Sequence, residues 1–359
     1  IAWLTNHTET SMSFIDKAHQ ETLYSYGQEA EKIYLEDGEQ ALAAFDSVSG
    51  EVHASMQTNV LAQGDFALGT ISNRMAYSQG GASFSALGFA AEPDKSNAEQ
   101  QILGFGYGIN SDEAFTKPRN LQGWMRGYGQ VGKNEGSNGA ADSDTSSYGV
   151  LFGLDAALKP DFVAGLAIGY GQTDTTVSDR SSSLSSDIFQ ALGYGSYTKG
   201  PWALQGVLGY AHHSFDSDRN ITIGSLTRNA VADYNGNQFM ASAELGYTYQ
   251  HTHQATGQTF DIQPIAGIHY GYLRTEEFTE TGAGALNLIS TGETLTSLNS
   301  VLGVKISSEI KQDNKTLNPY LQASWSHGFG DLNAQNTLNF EGGGTFTTSG
   351  NTTSRDSLN

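Results

Sequence analysis

An all-β fold, an antiparallel up-and-down β-barrel of the outer-membrane kind preceded by an α-helical linker region, is what the sequence predicts, on three observations. From Gly123-Trp124-Met125-Arg126-Gly127-Tyr128-Gly129-Gln130-Val131-Gly132 onward, the chain is rich in glycine and aromatic residues with a two-residue apolar period. That period recurs in nine strand-length segments. The connections between them alternate between tight turns and longer polar loops, as the two rims of such a barrel require.

Composition narrows the alternatives. The 359 residues suffice for one large domain with an extension, or for two domains. Glycine accounts for 43 residues and aromatics for 11%, which suits tightly pleated strands with aromatic girdles. The hydrophobic fraction is 38%, and no run of about 18 apolar residues exists, so a helical membrane protein is excluded. With 38 acidic and 18 basic residues the net charge is -20, which makes nucleic acid an unsuitable partner. The chain has no cysteine, so disulfides and thiolate metal sites are excluded. Ile1-Ala2-Trp3-Leu4 is not followed by the basic and apolar regions of a signal peptide, and the addressing signal is expected upstream of this chain.

Taken in order, residues 12 to 48 predict helix. Phe14, Ile15, Ala18, Leu23, Tyr26, Ala30, Ile33, Ala41, Leu42 and Phe45 recur at three- and four-residue spacing. A second helical block covers 51–77, with an interruption expected at Gly64-Asp65-Phe66 before it resumes through Ile71, Arg74 and Met75. Thr58, Asn59 and Gln63 stand where a soluble helix would carry Lys or Glu, which suits surroundings that are polar but not freely solvated. Residues 78–118 form a Gly/Ser-rich connector with room for some strand.

From residue 119 the strands sort into two faces, because side chains alternate. Tyr148, Val150, Phe152 and Leu154 oppose Ser147, Leu151, Gly153 and Asp155. Trp202, Leu204, Leu208 and Tyr210 form one face of the segment that follows Thr198-Lys199-Gly200-Pro201. Phe239, Ala241, Leu245 and Tyr247 oppose Gln238, Ser242 and Glu244, while Ile262, Ala266, Ile268 and Tyr270 oppose Gln263 and His269. Leu298, Leu302, Val304 and Ile306 oppose Asn299, Lys305 and Glu309, and Leu321, Ala323, Trp325 and Phe329 oppose Gln322 and Ser324. Mid-strand charges fall on the second face, which a wet lumen tolerates and lipid does not. Short turns are expected at Lys159-Pro160-Asp161 and 198–201, slightly longer ones at 251–258 and 311–315, and long polar loops at 132–145, 174–186, 216–235, 275–296 and from 330 onward.

Two stretches carry a resemblance. Ala43-Ala44-Phe45-Asp46-Ser47-Val48-Ser49-Gly50-Glu51-Val52-His53-Ala54-Ser55 resembles the segment that precedes the translocator of classical, type V autotransporters. The glycine-rich strand at Trp124 and the Tyr148-Gly149-Val150-Leu151-Phe152-Gly153-Leu154-Asp155 strand are similar to the start of that family's barrel. The resemblance implies a twelve-stranded barrel in the bacterial outer membrane, a helical linker through its pore and an N-terminal passenger at the cell surface. It further implies contact with outer-membrane lipid and lipopolysaccharide, and assembly by the barrel assembly machinery with periplasmic chaperones. The implied division is 1–50 as the end of the passenger, 51–77 as linker, 78–118 as connector and 119–359 as barrel. Nine strands are present, with Asp356-Ser357-Leu358-Asn359 opening a tenth and the family's terminal aromatic missing, so the chain is expected to be a piece of a longer protein.

Arg126, Asp155, Glu244, His269, Asn299, Lys305, Glu309 and Gln322 are the candidate pore-lining residues, and Asn59, Gln63 and Asn73 the linker positions that would face them. Two accounts fit the charges equally: a hydrated lining that contacts the linker, or charge balance among neighbouring wall residues. Arg126 shares its face with Trp124 and Tyr128 and is ambiguous. Some relatives of this kind cleave their own linker, for which Asn59 or Asn73 would be the site. His212-His213 alternate between faces, and His251 and His253 sit in a turn without carboxylates, so metal binding is not expected. Loop acids Asp142, Asp144, Glu276 and Glu277 suit solvated surface better than a cation bridge to lipopolysaccharide. No nucleophile elbow, zinc-protease motif or phosphate-cradling glycine loop occurs, so neither an enzyme nor a cofactor is expected in this region. The rival readings are a porin or adhesin barrel without a passenger, and a carrier for an enzymatic passenger such as a protease or lipase.

Overall fold

The computed structural model describes residues 24–29, 31–32, 44, 46–77, 99–108, 121–134, 136 and 140–358, the last stretch without 256, 313–314, 318, 331–332, 342 and 353. The helix α1 (Glu51–Tyr77) leads into the strands. The wall opens with β1 (Glu99–Gly108), β2 (Leu121–Asn134), β3 (Ser143–Lys159), β4 (Phe162–Val177) and β5 (Ser182–Lys199). It continues with β6 (Trp202–Ile223), β7 (Leu226–Tyr247), β8 (Tyr249–Thr252) and β9 (Thr259–Thr275). After β9 come β10 (Phe278–Thr279), β11 (Leu288–Ser290), β12 (Thr294–Ser308), β13 (Ile310–Gln312) and β14 (Lys315–Leu317). The last are β15 (Tyr320–Phe329), β16 (Asn333–Phe340), β17 (Thr345–Thr352) and β18 (Asp356–Leu358).

The main sheet is antiparallel throughout, in the order β1-β2-β3-β4-β5-β6-β7-β9-β12-β15-β18, and it curls as a half-barrel around α1. The alternation read from the sequence sets its faces. Leu166, Leu208, Leu302 and Leu321 are more than half exposed on the outside, whereas Leu151, Ile188, Leu192 and Val207 are buried on the inside. Glycine serves the inner face: rings of Trp124, Tyr128 and Tyr194 lie so close over Gly153, Gly149 and Gly165 of adjacent strands that a Cβ there would collide with them.

Three expectations are corrected. The helix does not break at Gly64-Asp65-Phe66; α1 runs unbroken for 27 residues. Burial on all sides outweighs the cost of about 1 kcal/mol for an interior glycine, and Gly64 is needed because a Cβ there would press on Gln238 and Met240. The stretches 174–186 and 216–235 are not loops but the ends of hairpins: β6 and β7 keep their register out to Ile223↔Leu226. Serine, threonine and asparagine on both faces hid those strands. The segment from 275 to 296 and the one after 330 meet in a separate sheet, β10-β11-β16-β17, above the mouth of the barrel. Within 78–118, residues 99–108 form a strand paired with β2, Gly108 opposite Trp124; the rest of that connector lies outside the described residues. Of the helix expected over 12–48, the described parts 24–29, 31–32, 44 and 46–47 are helical, and the remainder lies outside.

The candidate functional site

The lumen is the site, and α1 fills it. Gly50, with φ 66°, starts the helix beneath Leu288 and Leu338, where no side chain would fit. At this loop rim Glu51 Oε1 accepts the backbone N–H of Ala141 at 2.7 Å, and its Oε2 accepts Arg180 Nε at 3.1 Å. Two turns further in, Asn59 donates to Thr145 and Thr175, both at 2.8 Å, and accepts Asn134 Nδ2 at 3.2 Å. Gln63 donates to the Tyr128 hydroxyl at 2.8 Å. Asn299 of β12 donates to Asp65 Oδ2 at 2.7 Å. At the short-turn rim Arg74 grips Asp155 through Nε at 3.1 Å and Nη2 at 3.3 Å, and the Tyr194 hydroxyl donates to the same carboxylate at 3.1 Å.

Between these polar rungs the helix is packed in apolar contact. Val52, Met56, Val60 and Leu61 meet Phe215, Tyr234, Leu273 and Phe278 towards the loop rim. Ala67, Leu68, Ile71 and Met75 meet Trp124, Tyr128, Leu151 and Leu192 towards the other. A helix buried on every side explains why its amphipathic pattern is weak in the sequence.

The proposed lining residues are placed as follows. Asp155, His269 and Lys305 are nearly fully buried on the inner face. His269 Nε2 lies 3.0 Å from Glu244 Oε1, and Lys305 stands opposite Gln322 and Gln263. Arg126 is half-buried on the parity of buried Trp124 and Tyr128. Asn73 is half-buried beside Arg74. Glu309 is the exception: it lies past the end of β12, exposed at the short-turn rim, with its carbonyl accepting from Gln258, so it does not line the lumen. His213 is buried between Ser186 and Gln238 while His212 is exposed, opposite faces as expected. Among the described residues no three His, Asp or Glu side chains converge as a metal site would.

Sequence reasoning missed one cluster. Arg219, near the tip of β6, and Glu280, between β10 and β11, are both completely buried and paired at 2.7 and 2.6 Å. Burial by itself would push the Glu280 carboxyl up, but the Arg219 guanidinium and the His53 ring hold it down at about 2. The only sequence signal was an arginine on the inward parity of β6, two residues beyond Ser217, inside a stretch that reads as loop.

An exterior band of apolar side chains, short turns on one rim, long hairpins on the other and a single helix threaded between them define an outer-membrane barrel of the translocator class. The chain belongs to the autotransporter family: the Autotransporter beta-domain matches residues 123–359. An extracellular serine protease of Serratia marcescens is 28% identical over 218 residues, which is 61% of this chain but 20% of the protease. Outer membrane protein A of Rickettsia conorii is 25% identical over 52% of this chain and 9% of its own length. The chain thus spans a fifth or less of these relatives. In fold it is similar to the translocator domain of autotransporter NalP from Neisseria meningitidis, at TM-score 0.50 and 17% identity, covering 69% of this chain and 88% of that one. It is therefore a translocator unit in the outer membrane, with its loop rim at the cell exterior.

Proposed function

We propose that α1 is the linker left in the lumen when an N-terminal passenger has passed to the cell surface, and that residues 51–77, 78–118 and 119–359 act as linker, connector and barrel, with 1–50 the end of the passenger. The observation that supports this is the rim-to-rim fit of α1, from Glu51 with Arg180 and Ala141 to Arg74 with Asp155. Asp155, Glu244, His269, Asn299, Lys305, Gln322 and Arg126 are then the polar lining that keeps the lumen hydrated during passage and grips the linker afterwards. Neither Asn59 nor Asn73 is assigned a cleavage role; Asn59 is tied by three hydrogen bonds as a structural rung.

The barrel's own work needs no catalytic group, and any enzymatic activity of the whole protein belongs to a passenger. A protease and an esterase among the named relatives favour that second role for the parent protein. Barrel assembly machinery, periplasmic chaperones and lipopolysaccharide are the partners that an outer-membrane life implies. The test is an epitope tag placed just before Ser11 in the full-length protein, probed with antibody and protease on intact cells. Surface exposure of the tag with the barrel in the membrane fraction is expected. A tag confined to the periplasm overturns the secretion reading.

A further inference from the structure

The loop rim carries more structure than a linker in a pore requires. Two loops, the one after β9 and the one after β15, join as the sheet β10-β11-β16-β17 and close over the first two turns of α1. The sheet is tied to the wall by the bridge between Val231 and Thr281. We infer that this sheet is a lid, latched to the wall by the Arg219–Glu280 pair and to the linker by His53 on the same carboxylate, and that the lid sets whether the finished translocator leaks ions. The inference rests on reading α1 as the linker.

The latch draws on three separate parts of the molecule. Arg219 from the wall donates to both oxygens of Glu280, and also to the carbonyls of Ser47 at 3.1 Å and Leu286 at 3.3 Å. The lid itself gives the Leu288 N–H to Glu280 Oε2 at 2.8 Å. The helix gives His53, whose Nε2 lies 3.3 Å from Glu280 Oε1 and whose Nδ1 lies 3.0 Å from the Tyr234 hydroxyl, while its ring stacks on Phe278 with centroids 4.5 Å apart. A fully buried ion pair is costly to desolvate, and removing one partner leaves an uncompensated buried charge. These partners meet in one place only when the lid is shut and residues 51–58 are at the mouth.

A second clamp, with no charge in it, repeats the arrangement on the other loop. Ser55 Oγ donates to Asn351 Oδ1 at 2.7 Å, and Asn351 Nδ2 donates to the carbonyls of Asn134 at 3.1 Å and Ala141 at 3.3 Å. Gly350 lies flush on the helix, where a Cβ would come within 2.5 Å of Ala54 C and Ser55 N. Between the clamps, Val52, Met56, Phe278, Leu288 and Leu338 form an apolar seal. While any other stretch of polypeptide occupies the mouth, Glu280 and Asn351 lack their helix partners, so the lid closes last.

The experiment is single-channel recording of the full-length protein in planar bilayers, with the Ser11 tag scored in parallel on cells. Glu280→Ala is expected to raise open probability at least tenfold while the tag stays exposed and the barrel keeps its heat-modifiable migration. Because the chain has no cysteine, Ser55→Cys with Asn351→Cys can be added to that variant as a lock. Oxidation should silence the currents, and reduction should restore them. Currents of Glu280→Ala equal to the parent's overturn the inference, as do currents that persist in the oxidised lock. Should Glu280→Ala fail to insert, the cysteine pair alone decides: reduced and oxidised forms that conduct alike overturn it. Failure of tag exposure in the unaltered protein is a separate outcome, which overturns the linker reading instead.

Discussion

The two ends of the lumen are closed by opposite means. At the exterior end the helix disappears under a lid, an apolar layer and a buried ion pair from three chain segments. At the periplasmic end it leaves through a polar collar, where Arg74 is 15% exposed against Asp155 at 3%. The outer end is the barrier and the inner end is the anchor.

Removing residues 51–76 takes away both ends at once, and passenger display should be lost entirely while the barrel still inserts; surface labelling against membrane fractionation decides. Next in size is the wall that carries both ends. Leu302→Arg places a charge on the exposed outer face, at a cost of about 3 kcal/mol near mid-bilayer, and should reduce the heat-modifiable form severely. Asn299→Arg, which faces Asp65, should reduce it little; equal losses would dissolve the assignment of faces.

Arg74→Ala strips the anchor and leaves Asp155 buried without its cation, a loss of about 3 kcal/mol for a broken buried pair. Limited proteolysis from the periplasmic side should then cut α1 readily, with channel currents unchanged. Currents that rose would make the inner end part of the barrier.

Acid acts on the outer end through Glu280. The Glu280 carboxyl is depressed from 4.5 to about 2, so the stability it adds is present above pH 4.5 and is lost as pH falls towards 2. Conductance should hold steady from pH 7 to 5 and rise below that on acidification of the exterior side. Glu280→Ala should show no such rise. Gly350→Ala sets a Cβ 2.5 Å from the backbone of Ala54 and Ser55, so β17 must move off α1, and open probability should rise without a change in display.

The barrel wall was legible because lipid imposes a rule on each strand. Leu298 to Ile306 and Leu321 to Phe329 alternate apolar with polar because one side of each strand has no water. Above the membrane that rule lapses, and Asp216 to Asn235 reads as loop although its ladder is unbroken. The helix was legible by its oddity: Thr58, Asn59 and Gln63 predicted polar but enclosed surroundings, and each is at most 9% exposed. The latch was not legible. Arg219 and Glu280 are 61 residues apart in the chain, and single charges in polar stretches carry no sign that both will be buried together.

The parallel arrangement of the outer contacts has a mechanical meaning. A pull on the chain ahead of Gly50 acts along the axis of α1, and it loads the bonds at Glu51, His53, Ser55 and Asn59 side by side instead of opening them one after another. Rupture under force follows the rate of crossing a barrier rather than the equilibrium stability, and bonds sheared together raise that barrier. The mouth of this barrel is therefore built to bear tension: whatever hangs outside is held at the first turns of the helix, and drag at the cell surface does not reach the anchor at Arg74.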